Sequence, residues 1–186
     1  MKKLEEFNAE DRIGLRLLEN NVHFLTGDIE AENVNQTIQW IVYENLNPGS
    51  NKKLTLYISS MGGDLYSAFA LIDIIKNSQL PVRTIGVGPV MSAAFMIFVA
   101  GTKGERYVAR NTALMCHQYS DSPEGKHHDL KATMKEGENC NNKMVEILVE
   151  ATGLTAAKVR QKLLPATDVY LTAQEALELS VADNIL

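Results

Sequence analysis

Apolar and polar positions change their period several times along the chain, and these changes predict the order of the secondary-structure elements. Short apolar runs of strand length alternate with stretches in which apolar residues recur every three or four positions, as on one face of a helix. In chain order we predict a strand over 22–26, a helix over 31–44, a strand over 54–59, a helix carrying Ala68, Leu71, Ile72 and Ile75, a strand over 82–87, an apolar helix carrying Ser92, and a strand over 113–117. This alternation is typical of parallel βαβ units, so the predicted fold class is α/β with a core of parallel strands.

The last third of the chain is predicted to be mainly helical. Ser122 and Pro123 suit the N-cap and first position of a long helix that runs to about residue 151 and ends at Gly153. Thr172 and Glu175 form the capping-box pattern that opens a last short helix. The long helix has an apolar stripe formed by Leu130, Met134, Met144, Leu148 and Ala151. The helix lies beyond the predicted βαβ core, where few residues of the same chain remain to cover this stripe. This stripe therefore favours contact with another copy of the chain.

Length and composition fit one globular domain over residues 1–186. Of these 186 residues, 45% are hydrophobic and 22% are charged, and the net charge is −5. The negative charge argues against proteins that bind nucleic acid or anionic membranes through positive charge. Cys116 and Cys140 lack the spacing of a disulfide framework or a zinc site. The chain has no signal-peptide pattern at its start and no apolar run long enough to cross a bilayer, so we expect a cytoplasmic protein.

Three residues are candidates for nucleophilic catalysis. Ser92 should lie in the first turn of a helix, where unpaired N–H groups favour a developing negative charge; a plain helix cap is the alternative. His117 ends a strand at the rim of the sheet, where catalytic groups project in α/β folds; a buried histidine bonded to backbone is the alternative. Asp168 lies in a break between helices, where an aspartate usually serves a turn or a cap. In combination the three supply a nucleophile, a base and a carboxylate that fixes the imidazole.

Other polar positions have simpler interpretations or complete the same site. Gly62 and Gly63 follow a strand and suit a tight turn at positive φ, which would also let a backbone N–H point at a bound oxygen. One such N–H here and another beside Ser92 would form an oxyanion hole. His23 is interpreted as structural or as a surface residue. The adjacent pair His127 and His128 has no third ligand at metal-binding spacing, so we expect no metal site.

These motifs resemble those of the ClpP family of self-compartmentalising serine peptidases, from about residue 16 to residue 186. Residues 56–63 (LYISSMGG) resemble the family's Y-I-N-S-P-G-G segment, and Ser92 falls on the serine of its A-A-S-M-G-A segment. The tetrapeptide at 115–118 (MCHQ) resembles M-I-H-Q, and 171–176 (LTAQEA) is similar to L-S-A-x-E-A. The resemblance implies the ClpP/crotonase-like fold of repeated β-β-α and βαβ units. It also implies a short N-terminal segment over 1–15, a protruding handle over about 122–151 and a helical C-terminal segment.

The resemblance also implies an activity and its residues. It identifies a serine endopeptidase with Ser92 as nucleophile, His117 as base and Asp168 as the orienting carboxylate. The backbone N–H groups of Gly63 and Ala93 would form the oxyanion hole. No metal or cofactor is implied, since ATP would be used only by a partner unfoldase.

The implied partners are further copies of the chain, an unfoldase and unfolded polypeptide substrates. The family forms heptameric rings stacked in pairs, which receive substrates from AAA+ unfoldases of the ClpX, ClpA or ClpC type. The chain has Thr167 and Val169 where the family often has arginines that link the rings, so we expect a weak ring junction. Thr55 and Asn77 replace aromatic residues of the docking cleft, so we also expect altered unfoldase binding.

Two alternatives stay open at this point. A crotonase-like acyl-CoA enzyme shares the fold and holds a thioester enolate with two backbone amides, without a serine nucleophile. A catalytically silent ClpP-like ring subunit would have the fold without the activity. An α/β-hydrolase is disfavoured because the sequence around Ser92 does not match G-x-S-x-G.

Overall fold

Strands and helices alternate through the first two thirds of the computed structural model, which describes residues 8–49 and 52–186. The predicted α/β class is confirmed. Within the described residues no helix is long and apolar enough to span a bilayer. The elements are α1 (Ala9–Glu19), β1 (Val22–Thr26), α2 (Ala31–Leu46), β2 (Leu54–Ser60), α3 (Leu65–Lys76), β3 (Val82–Met91), α4 (Ala93–Val99), β4 (Arg106–Val108), β5 (Ala113–Cys116), α5 (His127–Thr152), α6 (Ala156–Lys162), β6 (Val169–Leu171), α7 (Ala173–Glu178) and β7 (Asn184–Ile185).

The sheet is mostly parallel, in the order β1-β2-β3-β4-β7. The first half of β3 pairs with β4 and its last residues pair with β5, so β3 leads from the main sheet to the second part of the sheet. There β6 pairs with β5 in the antiparallel sense. Alternate residues of β2 are fully buried, as expected for a strand with one face on the core: Leu54, Leu56 and Ile58. All seven residues of α4 are buried against this core, which gives the residue before the helix a rigid support.

The long helix α5 begins later than the sequence predicts. The expected start at Ser122 and Pro123 is wrong, because the chain from 117 to 126 has no regular structure and Gly125, at φ +146°, is outside the helical region. The predicted end at Gly153 is confirmed, since this residue is the C-cap with φ +73°. Of the N-terminal segment predicted over 1–15, residues 1–7 lie outside the described residues.

The apolar stripe of α5 is covered by the chain itself along its C-terminal half. Five apolar residues there are buried: Cys140, Met144, Val145, Ile147 and Leu148. The expectation that few residues of the chain could cover this face is therefore wrong for the C-terminal half, which packs against α4 and α6. The N-terminal half stays uncovered, and Met134 is 67% exposed.

Several elements were not predicted from the sequence pattern. These are α1, β4, β6 and β7, of which the three strands have only two or three residues each. In addition, β3 continues through Gly88 and Pro89, beyond the end predicted for this strand at residue 87. Its register with β2 shifts between Ile58 and Ser60, and such an irregularity accommodates a proline without a ladder N–H.

A buried ion pair fastens β7 to the sheet. Arg106 is 1% exposed, and its guanidinium donates to both carboxylate oxygens of Asp183, at 2.6 and 2.8 Å, and to the carbonyl of Ala151 at 3.0 Å. Burial alone would raise the pKa of Asp183, but hydrogen bonds from Arg106 and from the N–H of Gly104 outweigh burial and lower it. The charged pair therefore joins β4, β7 and the end of α5.

Candidate active site

Ser92 lies between the end of β3 and the start of α4, in a strained backbone conformation. Its φ of 53° and ψ of −122° fall in a region that residues other than glycine rarely adopt. Its N–H donates to the carbonyl of Met115 at 2.9 Å, and its carbonyl accepts from the N–H of Met96 at 3.2 Å. The prediction that Ser92 lies in the first turn is therefore wrong by one position, since Ser92 is the N-cap residue that precedes Ala93. Its side chain makes no capping hydrogen bond, so the plain-cap interpretation does not describe it.

The side chains of Ser92 and His117 are in direct contact. His117 follows β5, and its Nε2 lies 2.8 Å from the Oγ of Ser92. Its Nδ1 lies 2.5 Å from the carbonyl oxygen of Gln118. Because a carbonyl only accepts, a neutral ring in this position carries its proton on Nδ1. The unprotonated Nε2 then accepts the hydroxyl proton of Ser92, which is the arrangement that a general base requires.

Asp168 lies across from His117, but their side chains are not joined. The antiparallel register of β5 and β6 pairs Cys116 with Val169, and one further step along the ladder sets His117 opposite Asp168. Among the hydrogen bonds of the described residues, none connects the exposed Asp168 carboxylate with the imidazole. Burial, with a smaller contribution from the negative charge of Asp168, raises the pKa of the Cys116 thiol to about 12. The carboxylate is thus close to the end of β5.

The two glycines of the predicted turn adopt positive φ, as expected, with values of 111° for Gly62 and 146° for Gly63. The N–H of Ile29 donates to the carbonyl of Gly62, and the N–H of Asp64 donates to the carbonyl of Ile29, both at 2.7 Å. These bonds flank Gly63, so its own N–H faces away from Ile29. A Cβ atom on Gly63 would lie 2.4 Å from the carbonyl oxygen of Ile29, which leaves room only for glycine.

A cleft of about 190 Å³ opens beside the serine and histidine side chains. Gly63 and Ala93 both line it, and the N–H of Ala93 belongs to the first residue of α4, where no intrahelical acceptor exists. Tyr66, Tyr119 and Met144 line the cleft as well. The structure therefore brings together four of the five predicted site residues, and it places the fifth, Asp168, next to them without a bond to the imidazole.

The walls of the cleft were not predicted from the sequence. Tyr66 donates from its hydroxyl to Glu136 at 3.2 Å, which links α3 to α5. The N–H of Tyr119 donates to the side-chain oxygen of Asn141 at 2.8 Å, which fastens the segment after His117 to α5. No local motif marks these long-range pairs. The only available signal was the position of Gln118 and Tyr119 directly after the candidate base.

The remaining candidate residues lie elsewhere. The His23 ring stacks on Trp40 with ring centroids 5.1 Å apart. His127 and His128 form an edge-on pair at the start of α5. Both cysteines are buried and free. Across 8–49 and 52–186, no group of three or more His, Cys, Asp and Glu side chains is arranged to hold a metal ion.

Comparison with known families identifies the chain's relatives. The sequence model of the Clp protease family matches residues 5–186, essentially the whole chain. The resemblance inferred from the motifs is thereby confirmed. The mixed architecture with a mostly parallel sheet agrees with the ClpP/crotonase-like fold, so this more specific expectation is confirmed as well.

Proposed function

Since the chain belongs to the Clp protease family, a family of ClpP-type, serine-peptidase-like hydrolases, we propose that it is a serine endopeptidase, the proteolytic subunit of a compartmentalised Clp-type protease. One observation carries this proposal: the Oγ of Ser92 lies 2.8 Å from the Nε2 of His117. The bond of Nδ1 to the Gln118 carbonyl supports it, because it leaves Nε2 free to accept a proton.

Peptide cleavage proceeds through an acyl-enzyme in this proposal. The Oγ of Ser92 attacks the carbonyl carbon of the scissile peptide while Nε2 of His117 takes the hydroxyl proton. The tetrahedral intermediate collapses, the C–N bond breaks, and His117 gives the proton to the leaving amine. Water then attacks the ester with His117 as base, which releases the carboxylic acid and restores Ser92. This chemistry needs no metal or cofactor.

Backbone N–H groups stabilise the oxyanion of the tetrahedral intermediate. We assign this role to Gly63 and Ala93, since both line the cleft beside Ser92. The N–H of Gly63 is not used in the bridge to Ile29, and the N–H of Ala93 has no intrahelical acceptor. Loss of one such donor typically costs about 10²–10³ in rate.

Asp168 stabilises the positively charged imidazole during the reaction. Its place opposite His117, one step beyond the Cys116–Val169 pair, supports this role. Its contribution is electrostatic, because Nδ1 of His117 already donates its hydrogen bond to the Gln118 carbonyl.

The proposed assembly is a heptameric ring, stacked in pairs, that encloses the active sites. The family forms ring oligomers. Large exposed apolar side chains on α1 and α2 support contacts between subunits: Ile13, Leu18, Tyr43 and Leu46. The exposed N-terminal half of α5, the predicted handle, supports contact between rings. Light scattering should find a particle of about 290 kDa for fourteen chains of 20.6 kDa, or about half that mass for one ring.

Substrates of the assembly are unfolded polypeptides, delivered by an AAA+ unfoldase of the ClpX, ClpA or ClpC type that uses the ATP. The stacked rings of Phe24 and Tyr57, with centroids 4.8 Å apart, offer an apolar surface for such a partner. Phe24 is half-exposed, so the surface is accessible in the single chain. A cytoplasmic location stays a prediction of the sequence.

A fluorophosphonate probe tests the proposed activity directly. The wild-type protein should be labelled at Ser92 and should cleave a small unstructured peptide. Ser92→Ala should remove both activities, with a loss of about 10⁴–10⁶ in rate, while assembly stays unchanged. Ser120→Ala is the matched control, since Ser120 lines the same cleft but is not among the hydrogen-bond partners of the His117 ring in the described residues. An unlabelled, inactive wild-type protein would instead agree with a crotonase-like enzyme or a silent ring subunit.

A further inference from the structure

We propose that Gln118 is a positioning residue for peptide cleavage, in that its side-chain amide holds the segment leading to Asp168 while its backbone carbonyl holds the His117 ring. This inference rests on the proposed peptidase function. The observation behind it is that one residue makes both connections. Gln118 therefore couples the place of the base to the place of the carboxylate.

The side-chain amide of Gln118 donates to two carbonyls of one short segment. Its Nε2 donates to the carbonyls of Leu164, at 3.0 Å, and Pro165, at 3.1 Å. These carbonyls follow the last helical residue of α6, where no donor within the helix is available. From Pro165 the chain needs only three more residues to reach Asp168, which directly precedes β6. The amide thus fixes the first part of the turn that delivers the carboxylate.

The backbone carbonyl of Gln118 acts on the other partner. It accepts a hydrogen bond from Nδ1 of His117 at 2.5 Å, which sets both the tautomer and the rotation of the ring. A rotated ring would move Nε2 away from the Oγ of Ser92, which it now meets at 2.8 Å. Since the carbonyl belongs to the same residue as the amide, the bonds of the amide to Leu164 and Pro165 also restrain the position of the acceptor that holds the ring.

A neighbouring hydrogen bond should maintain the fold when the side-chain amide of Gln118 is removed. The thiol of Cys116, two residues earlier, donates to the carbonyl of Leu163 at 2.9 Å from the buried side of the strand. This bond and the β5–β6 ladder continue to join the two segments when the Gln118 amide is absent. We therefore expect substitutions of Gln118 to change the rate of cleavage far more than the stability of the fold.

Two substitutions of Gln118 test whether its side-chain N–H donors are needed for cleavage. Gln118→Met keeps the length of the side chain and the backbone carbonyl but removes both donors, whereas Gln118→Lys keeps an N–H donor at similar reach. We expect Gln118→Met to lower kcat for a small peptide about 10- to 100-fold, with KM within about twofold of the wild type. The rate of labelling by the fluorophosphonate should fall in parallel, and Gln118→Lys should restore most of both rates. Gln161→Met, at an exposed position on α6, should match the wild type.

Each outcome decides between the proposals. Wild-type kcat in Gln118→Met, or an equal loss in Gln118→Met and Gln118→Lys, would overturn the positioning role. A loss confined to thermal stability or to KM would overturn it as well. If Gln118→Met does not fold, Gln118→Glu gives the same comparison, because it keeps the length and polarity but sets a carboxylate against two carbonyls. Failure of the peptidase function itself is recognised separately, since the wild-type protein would then neither react with the probe nor cleave the peptide.

Discussion

Gly62 approaches Ser92 so closely that a Cβ atom on Gly62 would lie 2.6 Å from the Cβ of Ser92 and 3.2 Å from its hydroxyl oxygen. Both residues have positive φ, of 111° and 53° respectively. The glycine turn and the strained serine therefore lie in close contact. The position of the proposed nucleophile depends on the absence of a side chain at residue 62.

We predict that Gly62→Ala lowers the rate of peptide cleavage about 100-fold although it adds only one methyl group. The new Cβ would displace Ser92 by about 1 Å, and such a displacement of a reacting group costs about 100-fold in rate. Initial rates of peptide cleavage, with circular dichroism to monitor the fold, measure the effect.

The matched control for this substitution is Gly27→Ala. Gly27 also has a positive φ, of 80°, but an added Cβ would have no atom within 4 Å. This variant should be destabilised by roughly 1–2 kcal/mol through backbone strain and should remain active. Equal activity of Gly62→Ala and Gly27→Ala would show that the close approach to Ser92 is unimportant.

The fold class and most of the site could be predicted because their signals are local. The glycine pair, the serine after β3 and the histidine after β5 each follow a strand, and the ends of parallel strands meet at one edge of a sheet. The start of α5 was misplaced because Ser122 and Pro123 form a valid local start signal. The positive φ of Gly125 excludes a helix through this residue, and a glycine in the sequence does not by itself indicate which φ it adopts.

The partner of His117 Nδ1 could not be predicted, because the sequence offers both a carboxylate and any nearby backbone carbonyl as its acceptor. The structure joins Nδ1 to the Gln118 carbonyl, while Asp168, opposite His117 one step beyond the Cys116–Val169 pair, makes no hydrogen bond to the ring within the described part of the chain. The bonds of the Gln118 amide to residues 164 and 165 bridge more than forty positions in the sequence. A periodicity or a motif carries no information on such a contact.

The carbonyl at Nδ1 leads to a prediction for Asp168. Asp168→Ala should lower kcat by about 10²–10⁴, which is less than the loss for Ser92→Ala. The reason is that the Gln118 carbonyl keeps the proton on Nδ1 and so maintains the tautomer without the carboxylate. Steady-state cleavage measures the loss of kcat in both variants, and single-turnover acylation measures the loss at the acylation step in Asp168→Ala. If Asp168→Ala were as inactive as Ser92→Ala, the carbonyl would contribute nothing to the tautomer.

The buried pair of Arg106 and Asp183 should control stability at acid pH. Asp183→Asn leaves the guanidinium of Arg106 buried without a counter-charge, so we expect a loss of about 3–5 kcal/mol in the free energy of unfolding at pH 7. The exposed pair of Arg16 and Glu19 provides the control, and Glu19→Gln should cost less than about 1 kcal/mol. Urea unfolding of the three proteins measures both values.

The sign of the pH dependence follows from the lowered pKa of Asp183. In the unfolded chain an aspartate titrates near 3.9, so the stabilisation is complete above about pH 4. It decreases as the pH falls below that value towards the lower pKa of the folded state, because the unfolded chain then binds the proton first. The stability of Asp183→Asn should change less over this range. Parallel curves for the wild type and the variant would contradict the assignment.

His23 should make the fold less stable in mildly acidic solution. Burial lowers the pKa of His23 in the folded state, so below about pH 6.5 the unfolded chain binds a proton that the folded chain does not. The hydroxyl of Thr37 donates to the carbonyl of Asn33, and its oxygen accepts from the Nε2 of neutral His23 at 3.1 Å. The stabilisation is therefore complete above the pKa of the unfolded histidine and decreases as the pH falls towards the lower folded value.

His23→Phe tests this prediction, because phenylalanine keeps a ring against Trp40 but cannot titrate. Trp40 is the single tryptophan of the chain, so its fluorescence reports unfolding from a site in contact with residue 23. Between pH 7.5 and pH 5.5, the urea midpoint of the wild-type protein should fall more than that of His23→Phe. The three other histidines are present in both proteins, so the difference between the two curves belongs to His23. Identical changes in the two midpoints would mean that the buried ring accepts a proton without cost, contrary to its contact with Trp40 and its lowered pKa.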